Sequence, residues 1–295
     1  MRKILMSLAA VCAACSVIAA DAPQKLKVLM IGNSFSICVL KEMPKVAASM
    51  GRELDLASLY IGGCSLERHW KNVESDRPDF KPYRFDRDTG NRRVVADGKI
   101  NIPEALKLDR WDIVTIQQAS HFSWKPETYD PFGEKLIAKI RELAPQAEVV
   151  VQETWSYTPW DKRLGEWKLD PAQMYEKLHR AYGDYAAAKK LRVIPMGTVV
   201  QEYRKALPVV YSDNSFGGDP CGSAKFQRDA EGKWTPKGDV FHLNHEGHYL
   251  QGLVWTAALF RADVAKCAYA PKDIDPARVA VMRRVVSQVV NSNQP

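Results

Sequence analysis

Three residues near opposite ends of the chain have the types and spacing for nucleophilic acyl transfer. Ser34 lies near the end of the run KLKVLMIGNSFS, Lys25 to Ser36, while Asp239 and His242 stand three apart in GDVFHLNHEGHYLQGLVW. A serine hydroxyl is a weak nucleophile until an imidazole takes its proton, and the imidazole works best when a carboxylate fixes its tautomer. Each residue also has a structural reading. Serine and aspartate are common helix N-caps, and a lone histidine can be a satisfied polar group.

The elements around them favour convergence. Residues 25–31 are rich in branched apolar side chains and end abruptly in Gly32 and Asn33, as a buried strand of a parallel sheet does. Ser34 then falls at the carboxyl edge of that strand and at the first turn of the next helix. In open α/β sheets that edge binds ligands, and unpaired helix N–H groups there favour developing negative charge. LDLASLYIGG repeats the pattern and delivers Gly62 and Gly63 at the same edge. Asp239 and His242 precede an amphipathic helix with Tyr249, Leu250, Leu253, Val254 and Ala257 on its apolar positions.

GNSFS, a glycine pair about thirty residues on and D-x-x-H-L-N-x-x-G near the end together resemble the SGNH (GDSL-like) hydrolase superfamily, over nearly the whole mature chain. The resemblance is closest to bacterial secreted SGNH-like esterases with a QQAS third block. It implies Ser34 as nucleophile, His242 as general base, Asp239 as its orienting acid and Gly63 as an oxyanion donor, with Gly62 as the one-step alternative. GNSFS is not G-x-S-x-G, which disfavours an α/β-hydrolase nucleophile elbow.

The third block departs from that pattern. Where the superfamily offers an asparagine, this chain has TIQQASH, and an ungapped register places His121 there. Side chains alternate along a strand, and its last residues project toward the site, which favours Gln118 as the amide donor over Gln117 and His121. Structural hydrogen bonding by buried glutamines is the competing reading.

The remaining sequence sets the context. MRKILMSLAAVCAACSVIAA has the basic start, apolar stretch and small residues of a secretory signal peptide over residues 1–20. Its loss leaves one domain, 21–295, exported to the periplasm or beyond, with no further segment long enough to span a membrane. Net charge falls from +7 by two on losing Arg2 and Lys3. Basic residues are scattered, so nucleic acid is not an expected partner. Cys38, Cys64, Cys221 and Cys267 remain, free or bridged, with Cys38 and Cys64 the pair placed to approach each other. Their spacing is not that of a zinc site, and no metal or organic cofactor is expected.

Alternating strands and helices predict a three-layer α/β/α sandwich on a mainly parallel five-stranded sheet, flavodoxin-like by resemblance. A hairpin insertion is expected around 83–100, and a Gly-rich polar loop insertion around 211–237 borders the site. Trp124, Trp155 and Trp160 lie in strand-end loops where rings can stack on sugar faces, though core or lid roles fit equally. Together these features predict a serine esterase for O-acyl, preferably O-acetyl, groups on carbohydrate or another small ester. A lipase or thioesterase on the same residues is the rival, as is a non-catalytic glycan-binding protein.

Overall fold

A computed structural model describes residues 24–85, 92–94, 98–207, 211–212 and 214–292. The signal peptide expected at 1–20 lies outside them, as does the expected turn at Thr89-Gly90.

The seven-stranded sheet runs β4-β3-β2-β1-β5-β6-β7, with β1 at Lys25–Gly32, β2 at Glu53–Tyr60, β3 at Lys81–Phe85 and β4 at Arg92–Val94. Its remaining strands are β5 (Ile113–Ile116), β6 (Glu148–Gln152) and β7 (Arg192–Ile194). The five expected strands are all present and parallel: β1 pairs with β2 and β5, β5 with β6, and β6 with β7. The count rises to seven because the insertion hairpin is not a free flap. β3 pairs antiparallel with β2 and β4 with β3, so the insertion extends the sheet edge. Arg84 on β3 bridges to Asp55 and Asp109, which makes it a fastener of this edge.

Helices flank the sheet in three layers. Residues Ser34–Ile37 form α1 and Val39–Ser49 form α2; then come α3 (Leu66–Glu74), α4 (Ile102–Lys107), α5 (Phe132–Leu143), α6 (Lys162–Trp167) and α7 (Pro171–Lys189). After α8 (Met196–Ala206) come α9 (His245–Phe260) and α10 (Pro276–Ser292). β1 and β5 are almost wholly buried, as strands covered on both faces must be. α9 is apolar nearly all round and packs against α2 and α10, so it is a core helix rather than the amphipathic surface helix that its spacing predicts. Among the described residues no helix is long and apolar enough to cross a membrane.

The 211–237 insertion is not all loop. Lys225–Arg228 (β8) and Trp234–Lys237 (β9) form an antiparallel hairpin closed by an Asp229–Gly232 turn. Both strands are polar and partly exposed, so no alternating pattern marks them. The base of the insertion is anchored by Arg204, whose Nε donates to Asp219 Oδ2 at 2.9 Å within a buried pair.

Candidate active site

β1 ends where its backbone must turn sharply past other groups. A Cβ on Gly32 would lie 2.2 Å from Ser36 Oγ and 3.1 Å from Ser36 Cβ, so a larger residue here would have to displace the Ser36 side chain. Asn33 caps α1, its Oδ1 accepting from the Phe35 N–H at 2.9 Å, and Ser34 becomes the first helical residue. A four-residue helix has little stability of its own. Two buried glutamines hold it: Gln152 at the end of β6 and Gln251 on α9 both donate to the Phe35 carbonyl, at 3.0 and 2.8 Å. The Phe35 ring is stacked 4.1 Å from Trp155. Ser34 is therefore fixed from three elements while staying half-exposed.

The opposite end of the chain meets it. His242 Nε2 lies 2.8 Å from Ser34 Oγ, and His242 Nδ1 lies 2.9 Å from Asp239 Oδ2. Asp239 does not cap α9; Asn244 does, accepting from the Gly247 N–H at 3.1 Å. The other Asp239 oxygen accepts the N–H groups of Phe241 and His242, both at 3.0 Å. Partial burial raises the Asp239 pKa, but the His242 ring and these two amides outweigh it and hold the carboxyl down at about 2. An ionised carboxylate is thus fixed behind an imidazole that contacts a serine hydroxyl.

The insertion backs this segment from outside. The Ser223 and Ala224 N–H groups donate to the Asp239 carbonyl at 2.9 and 2.8 Å, and the Gly222 N–H donates to the His242 carbonyl at 2.8 Å. Asn244 Nδ2 donates to the Asp219 carbonyl at 2.8 Å. Residues 219–224 of the insertion thus buttress the Asp239–Asn244 segment.

Asn33, which the sequence marks only as the polar end of a strand, joins three strand ends. Its Nδ2 donates to the Cys64 carbonyl at 2.9 Å, and its Oδ1 also accepts from Gln117 Nε2 at 2.6 Å. The Cys64 contact ties down the turn that carries Gly63, which is exposed at φ +61 and so favours glycine. Gly62 is exposed beside it. Among the described residues the Ser34 and Gly63 N–H groups donate to no acceptor.

The glutamines are committed elsewhere, which corrects the third-block assignment. Gln118 Nε2 donates to Thr128 O at 2.8 Å and to Thr128 Oγ1 at 3.1 Å, while its Oε1 accepts from the Leu66 and Ala119 N–H groups. It is a loop staple with no donor left for an oxyanion. Gln117 spends its contact on Asn33. His121 is half-buried and, among the described residues, its ring makes no hydrogen bond. Burial, followed by Arg163 and Lys125, lowers its pKa and keeps the ring neutral.

The tryptophans divide. Trp155 is fully buried and donates from Nε1 to the Phe241 carbonyl at 2.9 Å, so it is scaffold rather than a sugar platform. Trp160 packs edge-on to Phe226 of β8, 5.0 Å between centroids, and supports the insertion. Trp124 lines an open groove beside α7. Arg163 had no sequence signal. Its guanidinium is gripped by Asp161 at 2.8 and 2.5 Å and lies 4.3 Å from the ring centroids of both Tyr157 and Phe241; Phe241 is in turn 4.1 Å from the His242 ring.

All four described cysteines are free thiols. Cys38 faces Gln251 and Cys64 faces His69, so the two do not meet, and burial pushes both thiols up to about 12. Among the described residues no group of three or more His, Cys, Asp or Glu side chains could hold a metal ion.

This arrangement, a serine at the end of the first parallel strand facing a D-x-x-H segment just before α9, lies on the fold of the SGNH hydrolase superfamily. A candidate SGNH hydrolase from Slackia heliotrinireducens has that fold at a TM-score of 0.50 and 18% identity, covering 78% of this chain and 96% of that one. The chain belongs to the family described as "Domain of unknown function (DUF4886)", which matches residues 27–220. The crystal structure of a DUF4886 family protein from Bacteroides uniformis is similar at a TM-score of 0.76 and 25% identity, covering 92% of this chain and 96% of that one. Among curated proteins, the large ribosomal subunit protein uL18 of Tetrahymena thermophila is 25% identical over 149 residues, 45% of this chain. The chain spans about half the length of that protein, 49%.

Proposed function

We propose that this protein is an exported serine esterase that removes O-acyl groups, preferably acetyl, from carbohydrate. The observation that carries the reading is the continuous chain Ser34 Oγ to His242 Nε2 to Asp239 Oδ2, at 2.8 and 2.9 Å. Ser34 Oγ attacks the ester carbonyl carbon while His242 Nε2 takes its proton. The C=O π pair moves to oxygen, and the N–H groups of Ser34 and Gly63 receive that oxyanion. His121, neutral and unengaged at the position where the superfamily offers asparagine, supplies the third donor in place of Gln118.

Collapse of the tetrahedral intermediate expels the sugar alkoxide, which leaves as an alcohol with the proton from His242. Water then enters, gives its proton to His242 and attacks the acyl-Ser34 ester, and the carboxylic acid departs as the serine is restored. Asp239 stays ionised throughout and holds Nδ1–H of His242. Carbohydrate as the alcohol part of the ester rests on the polar, aromatic surroundings, and export rests on residues 1–20.

The test is hydrolysis of 4-nitrophenyl acetate by the mature chain. Turnover that falls by about 10³-fold or more in folded Ser34→Ala supports the reading. Equal rates in the two proteins overturn it.

A further inference from the structure

The rings between the site and the Trp124 loop form a continuous run. Phe241 is 4.1 Å from the His242 ring, Tyr157 is 5.0 Å from Phe241, Trp167 is 5.8 Å from Tyr157, and Trp124 is 5.5 Å from Trp167. At the far end Trp124 opens onto a groove of about 610 Å³ between its own loop and the first half of α7. Both pieces stand at the edge of the sheet that carries Ser34: the Trp124 loop follows β5, and α7 begins after the connection that leaves β6.

The groove has a mixed lining. Trp124 and Leu169 give an apolar floor, and Gln173, Glu176, Lys177 and Arg180 stand along one side on α7. Gln173 Oε1 is taken by the Asp170 N–H, which leaves its NH2 as donor. Among the described residues the side chains of Glu176, Lys177 and Arg180 make no hydrogen bond or ion pair. Unengaged donors and acceptors of both signs beside an indole suit a ligand that is hydroxyl-rich on its edges and flat and C–H-rich on its faces. A fatty-acyl tail would leave those polar groups desolvated without partners.

We propose that this groove is a distal subsite for sugar units of a glycan chain whose ester lies at Ser34, so that the preferred substrate is an acylated oligosaccharide or polysaccharide. The proposal rests on the esterase reading and specifies its substrate class. Arg163, which lies over Tyr157 and Phe241 midway along the ring run and has Nε and Nη2 held by Asp161, offers its Nη1 donors to the units between groove and serine.

The test compares partially O-acetylated xylohexaose, partially O-acetylated xylobiose and 4-nitrophenyl acetate. Wild type should show kcat/KM about tenfold higher on the hexaose than on the biose. Trp124→Ala and, as a surface change that spares the core, Arg180→Ala should each cut that ratio about threefold or more, mainly through KM, with 4-nitrophenyl acetate turnover unchanged. A ratio near one in wild type, or a ratio that neither variant moves, overturns the subsite. If wild type hydrolyses no ester, the esterase reading falls, and calorimetric titration of Ser34→Ala with unacetylated xylohexaose still judges the groove. Saturable binding lost in Trp124→Ala then supports it, and no binding overturns it.

Discussion

Asn33 Oδ1 accepts from Gln117 Nε2 at 2.6 Å, a contact that locks the residue before the candidate nucleophile to the end of β5. Through the same side chain the Cys64 carbonyl is held at 2.9 Å, so the serine turn, the Gly63 turn and β5 share one buried amide. Alignment of the Gly63 N–H with anything bound at Ser34 depends on that amide.

Replacing Asn33 with alanine leaves the Cys64 carbonyl and a Gln117 N–H without partners in a buried site, at about 1–3 kcal/mol for each orphaned group. Thermal unfolding should shift down by several degrees. In the folded variant, kcat on 4-nitrophenyl acetate should fall about 10–100-fold with little change in KM. An unaltered kcat would mean that the Gly63 turn holds itself.

His121→Ala should lower kcat about 10–100-fold, while His121→Asn, which restores an amide at that position, should recover most of the loss. Gln118→Ala should act differently, lowering stability through the Thr128 and Leu66 contacts. Steady-state kinetics and urea unfolding on the three variants separate the roles. Loss of turnover in folded Gln118→Ala with full activity in His121→Ala would reverse them.

The depressed pKa of Asp239 carries a sign. Its carboxyl sits at about 2 in the fold against an ordinary 3.8, so the ionised form stabilises the native state above about pH 4, and that contribution disappears as pH falls toward 2. The unfolding free-energy gap between wild type and Asp239→Asn should close progressively as pH falls from about 4 toward 2. A gap independent of pH down to 2 would contradict the pairing with His242.

Trp155→Ala should behave as a core truncation, costing about 3–5 kcal/mol. Its ring supports Phe35, and its N–H holds the Phe241 carbonyl. Trp155→Phe keeps most of the packing and should keep the KM for acetylated sugars. A large rise in KM with unchanged stability would restore Trp155 as a substrate contact.

The framework was legible because burial and chemistry left separate marks in the sequence. The branched apolar runs of β1, β5 and β6 end in polar residues at one sheet edge, and that edge is where Ser34 and the Gly63 turn were expected and found. The third block misled for a physical reason. β5 ends at Ile116, so the alternation rule no longer governs Gln117 and Gln118, whose directions are set by Asn33 and Thr128. Trp155 likewise follows the end of β6 and turns inward onto Phe35. The β8–β9 hairpin carries polar, half-exposed side chains, and Arg163 gains meaning only once Tyr157 and Phe241 flank it.

Reaction of the protein spanning residues 21–295 with a fluorophosphonate ester, followed by intact mass and peptide mapping, tests the central claim most directly. A single phosphonyl adduct on Ser34, formed about 100-fold or more slowly in His242→Ala, is the expected result. No adduct in the folded protein, an adduct on another residue, or equal labelling of Ser34 without His242 would contradict it.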